Sequence, residues 1–147
     1  MDDNANAFVD ETNRIYISTG LLKYIESYEA LVGVVAHEIG HITKYHIPKR
    51  KDSKAKLKKL NDLANLSIIA GSLVSKNQDY LMQSLISNKL GISNYYQLFS
   101  QDQEKEADYY AVETMNKLDL STKPLVMFLN FLEEKAIRSG MAKEYYK

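Results

Sequence analysis

The chain has 147 residues with Lys plus Arg equal to Asp plus Glu at 19 each, so its net charge makes no case for a nucleic-acid partner. It has no cysteine, which excludes disulfides, thiolate metal sites and cysteine nucleophiles together, and only three histidines. A hydrophobic fraction of 45% at this length reads as a single soluble globular domain over 1–147.

Residues 6–18 read as an edge strand and hairpin: Ala7-Phe8-Val9 and Arg14 to Ser18, joined by the turn-prone Asp10-Glu11-Thr12-Asn13. Thr19 is placed to cap a short helix from Gly20 to about Glu26. A long helix is expected over 27–47, apolar on most sides from Leu31 to Ala36 and ended by Pro48, which marks it as a core helix. The run Lys49 to Lys59 carries seven cations against Asp52. It reads either as a solvated helix face or as a patch touching anionic lipid or substrate.

Helical patterns follow at 57–74 and 79–90, the second ended by Gly91, so that 50–94 forms a lid or a set of insertion helices. Further helices are expected over 95–118 and, opened by Pro124, over 124–140. The longest apolar stretch, Leu63 to Val74, is broken by Asn65, Ser67 and Ser72 and falls short of the roughly 20 residues that span a bilayer. The fold class is therefore mainly α (α+β), with a small N-terminal hairpin packed on helices. Met1-Asp2-Asp3-Asn4 is no signal peptide, and structured sequence begins so soon after it that preceding sequence is expected to have been trimmed.

His37-Glu38-Ile39-Gly40-His41 carries the chemistry. On a helix, residues four apart lie about 40° apart in azimuth and about 6 Å apart along the axis. Two imidazoles at that spacing reach one zinc ion, and a glutamate beside the first reaches the water at that ion. With so few histidines and no cysteine, a carboxylate has to complete the ligand set. The best source is Glu104-Lys105-Glu106-Ala107-Asp108. Glu104 and Asp108 share a helix face, so Glu104 can bind metal while Asp108 accepts a hydrogen bond from the far nitrogen of a ligand histidine. Glu106 is the rival ligand; it lies about 200° around the helix from Glu104 and should face away, as should Asp102. His46 lies about 140° off the metal-facing direction. It is read as a capping or surface residue near the end of the pentad helix. Tyr109 and Tyr110 are candidate oxyanion donors, with packing against neighbouring helices the preferred reading.

Four blocks in order make a resemblance specific: Asn6-Ala7-Phe8, Ile15-Tyr16-Ile17-Ser18-Thr19-Gly20-Leu21-Leu22, Ala36 to His41, and Glu104 to Asp108. Together they resemble the gluzincin zinc metallopeptidases of the CAAX prenyl protease, HtpX, Oma and BepA type. The resemblance implies a zincin-like fold and one zinc ion held by His37, His41 and Glu104. It makes Glu38 the general base toward a zinc-activated water, and Asp108 the partner of a ligand histidine, with His37 favoured. Asn6, Ala7 and Phe8 become the edge strand that pairs with an extended polypeptide substrate. It also implies quality control of unfolded, membrane or envelope proteins in a bacterial cell envelope. The family's later H-P…R segment has no counterpart before Lys147, so the chain is expected to be a fragment. A second reading stays open: a catalytically weak or silent scaffold that binds unfolded clients.

Overall fold

Ser18 joins the first sheet to the first helix in the computed structural model, which describes residues 5–75 and 78–138. Its hydroxyl accepts hydrogen bonds from Asn6 N–H at 2.9 Å and from Leu21 N–H at 3.0 Å. It therefore caps α1 (Thr19–Tyr24) while extending the pairing of β1 (Ala7–Val9) with β2 (Ile15–Ile17). Thr19 is thus inside the helix, one residue past the true cap. The strands are antiparallel, with Ala7 opposite Ile17 and Val9 opposite Ile15. Ser18 N–H donates to Asn6 C=O and Asp10 N–H to Arg14 C=O, so the even-numbered residues of this strand face β2. By alternation, Ala7 and Val9 turn their N–H and C=O groups to the opposite edge. The turn is held by Asp10, whose Oδ1 accepts from Thr12 N–H at 2.8 Å, the Thr12 hydroxyl at 2.7 Å and Arg14 N–H at 3.0 Å. Asn13 takes the left-handed conformation there, φ 60°.

The chain divides into two compact units, residues 1–44 with 105–147, and residues 45–104. In the first, α2 (Tyr28–Thr43) packs against both strands and against α5 (Lys123–Arg138). Ser27 caps α2 by accepting from Ala30 N–H at 3.1 Å. The core is Leu21, Ala30, Val34, Met115, Leu125 and Phe128. Gly33 lets α5 close in: a Cβ there would meet Leu125 Cδ2 at 2.7 Å and Met115 Sδ at 2.9 Å. The last part of α4 (Gln78–Lys117) belongs to this unit and ends in a Schellman turn. Leu120 N–H donates to Met115 C=O and Asp119 N–H to Asn116 C=O, with Asp119 at φ 57°. That turn sends Leu120 back against the core.

The second unit pairs α3 (His46–Ser75) with the first part of α4 in antiparallel fashion. Asn88 donates to Asn61 Oδ1 at 2.9 Å and Asn65 Oδ1 at 3.1 Å midway along, and Arg50 meets Gln103 and Glu104 at one end. Two helix ends differ from the sequence reading. The pentad helix stops at Thr43, because Tyr45 takes a left-handed φ of 56°, and Pro48 falls in the first turn of the next helix, where its missing N–H costs nothing. Gly91 ends nothing: α4 runs through it, since a lone glycine costs only about 1 kcal/mol in a long helix. His46 is corrected with the first of these. It begins α3 and is fully buried, neither a surface residue nor a cap on α2. Among the described residues, no helix is long and apolar enough to cross a membrane.

Candidate metal centre

His37 and His41 lie one turn apart on α2, and their Nε2 atoms converge to 3.1 Å. Two nitrogens bound to zinc at its usual distance and tetrahedral angle would be about 3.3 Å apart, so the pair fits a single ion. His37 Nδ1 lies 2.9 Å from Asp108 Oδ1. A carboxylate at that distance accepts a hydrogen bond from Nδ1–H, the tautomer whose Nε2 lone pair is directed at the convergence point. The donor set is one that could hold a metal ion: two converging imidazoles, one of them oriented by a carboxylate.

The approach that brings Asp108 to His37 depends on two small residues. A Cβ on Gly40 would meet Ala107 Cα at 3.0 Å and Ala107 O at 3.2 Å, and Ala107 is itself fully buried. Gly40 sits between the two histidines and Ala107 immediately before Asp108, so this close approach falls beside the site. Glu38 is 7% exposed, unusual burial for a carboxylate. With His37 and Asp108 it lines a cleft of about 410 Å³ whose floor is apolar, formed by Val34, Ala111, Leu125 and Phe128.

Asn6 and Ala7 lie on the wall of the same cleft. Phe8 points to the other face of the strand, where it stacks on Tyr16 with ring centroids 5.0 Å apart. Glu104 belongs to the second unit, one turn before Asp108 along α4, and its Oε1 receives Arg50 Nη2 at 2.7 Å. Tyr109 is largely solvent-exposed, and Tyr110 is half-buried near Gly40.

The sequence reading missed two contributions. The face of α5 with Leu125, Phe128, Leu129 and Leu132 lines the cleft, and its helical spacing alone does not distinguish a cleft wall from ordinary core packing. Arg50 belongs to the basic run by sequence, and its contacts with Gln103 and Glu104 set it apart.

The family model described as Peptidase family M48 matches residues 1–146. This chain belongs to that family. M48 is a metallopeptidase family, and the match runs over nearly the whole chain. The chain is 24% identical to the beta-barrel assembly-enhancing protease of Escherichia coli (strain K12) over 143 residues, covering 97% of this chain and 29% of that protein. It is 25% identical over 140 residues to the putative beta-barrel assembly-enhancing protease of Vibrio cholerae, covering 91% of this chain and 27% of that protein. With the metalloprotease YcaL of Escherichia coli (strain K12) the identity is 25% over 127 residues, covering 86% of this chain and 46% of YcaL. The chain thus spans less than half the length of each of these relatives. No solved structure matches it.

Proposed function

We propose that this M48 chain is a zinc-dependent metalloendopeptidase domain, with His37, His41 and Glu104 as the metal ligands and Glu38 as the general base. The observation that carries the reading is the convergence of the two Nε2 atoms at 3.1 Å with Asp108 behind one of them. The third donor is assigned to Glu104 because it lies one helical turn from Asp108 on α4, with its carboxylate on the same helix face. When bound, zinc would supply Lewis-acid activation of water and of the scissile carbonyl.

The rest of the chemistry belongs to side chains of this chain. Glu38 takes the proton from the attacking water and returns it to the leaving amine. Its low exposure keeps bulk water from competing for that proton. Asp108 holds the His37 proton on Nδ1 and so keeps Nε2 available. The outward N–H and C=O groups of Ala7 offer an extended substrate a strand to pair with, which supports a polypeptide substrate lying beside His37 and Glu38. The apolar floor of the cleft suits an apolar substrate side chain.

Two relatives are named for enhancing β-barrel assembly, which supports a role in quality control of proteins of the bacterial cell envelope. The exposed lysines Lys51, Lys54, Lys56, Lys58 and Lys59 support contact with an anionic membrane surface. Co-sedimentation with vesicles tests that contact, and binding that is equal with and without anionic lipid would remove it.

The deciding experiment is Glu38→Gln. The variant should keep stoichiometric zinc and lose about 10²–10⁴ in kcat on an unfolded substrate such as casein. Retained turnover would exclude Glu38 as the base. Glu104→Ala should lose zinc, and unchanged zinc content would move the third ligand to another carboxylate. Stoichiometric zinc with no cleavage by the parent chain, even when extended to the full length of its own reading frame, would favour the client-binding scaffold.

A further inference from the structure

Arg50 stands apart from the lysines around it. It sits one turn into α3, four residues after His46, and it is held at two points by α4. Its Nε donates to the side-chain oxygen of Gln103, and its Nη2 donates to Glu104 Oε1 at 2.7 Å. Gln103 is only 4% exposed, and the other end of its amide lies 3.5 Å from the main-chain carbonyl of the fully buried His46. The chain of contacts therefore runs from a buried backbone carbonyl, through a buried amide, to a guanidinium, and reaches the carboxylate of Glu104.

We propose that Arg50 is a positioning residue for metal binding: anchored by Gln103, it fixes the Glu104 carboxylate so that its second oxygen is presented as a ligand. This rests on the assignment of Glu104 as the third zinc donor. A glutamate has three rotatable side-chain bonds, and the Glu104 side chain is 47% exposed. A side chain of this kind has many rotamers, few of them suited to a metal, and each fixed contact narrows the set. A guanidinium is planar, so once Nε is engaged the direction of Nη2 is set, and with it the place of Oε1. A lysine at this position would carry the same charge without the fork.

There is an opposing effect. A cation beside a ligand carboxylate repels a divalent ion and draws charge from its donor. The Arg50 side chain is 37% exposed, so solvent and salt screen that repulsion, whereas the geometric constraint is local and unscreened. Orientation should therefore win, and zinc should bind tighter with Arg50 than without it.

The test measures the zinc dissociation constant of the full chain by competition with a chromophoric chelator, alongside thermal unfolding of the metal-free protein. Arg50→Ala should weaken zinc binding by about 10- to 100-fold with little change in metal-free unfolding. Arg50→Lys should resemble the alanine variant, because charge without the fork does not orient Glu104. In a Glu104→Ala background, Arg50→Ala should have no further effect on the zinc constant. Gln103→Ala reports on the anchor and should weaken zinc binding in the same direction. Zinc affinity that is unchanged or tighter in Arg50→Ala, in a chain whose parent binds zinc, overturns the role of Arg50 alone. A parent chain that binds no zinc overturns the metal assignment and this proposal with it.

Discussion

His37 Nδ1 and Asp108 Oδ1 are 2.9 Å apart although 71 residues separate them in the chain. The contact fixes the orientation of a histidine on one helix by means of a carboxylate on another. It also accounts for the two small residues beside it, since Gly40 and Ala107 allow α2 and the end of α4 to approach this closely.

Removal of that carboxylate should be felt at the metal. Asp108→Ala is expected to weaken zinc binding by about 10- to 100-fold, with Asp108→Asn retaining more because its amide oxygen still accepts the Nδ1 proton. The Asp108 side chain is 61% exposed, so its loss should change the stability of the metal-free protein little. Zinc titration of the two variants checks this, and an unaltered dissociation constant in both would make Asp108 an ordinary surface acid.

The same substitution at two glycines should have opposite signs. Gly40→Ala places a methyl 3.0 Å from Ala107 Cα, a backbone atom that cannot retreat, and should cost about 1–3 kcal/mol. At Gly91 nothing lies within 4 Å of an added Cβ, so Gly91→Ala should stabilise α4 by about 1 kcal/mol. Denaturant unfolding of the pair decides the matter. Equal effects would mean that α2 and α4 do not meet at Gly40 as described.

The hairpin turn should be sensitive to acid. Asp10 is pulled down from 3.8 to about 2, chiefly by the hydrogen bond from the Arg14 backbone and then by that from the Thr12 hydroxyl. A carboxylate whose folded pKa is depressed contributes stability above its unfolded pKa and loses it as pH falls through the folded value. The stability difference between the parent and Asp10→Ala should therefore be constant above about pH 4 and shrink between pH 4 and 2. An NMR titration of the Asp10 carboxyl with its midpoint near 4 would contradict the turn geometry.

The candidate metal site was legible because its spacings are local. The four-residue spacings of His37 to His41 and of Glu104 to Asp108 dictate shared helix faces wherever those helices lie, and the absence of cysteine narrows the remaining donor to a carboxylate. The hairpin was legible for the same reason, from alternation and turn residues. Helix ends were less so. Left-handed Tyr45 carries no glycine or proline signal, yet it ends α2 and places His46 at the buried start of α3. What only tertiary structure decided is which surfaces meet. Packing made α5 a wall of the cleft, turned Phe8 away from it onto Tyr16, and took Arg50 out of a basic run to hold Glu104. Periodicity assigns a residue to a face of its own helix, but the partner of that face is chosen by shape and burial across the whole chain.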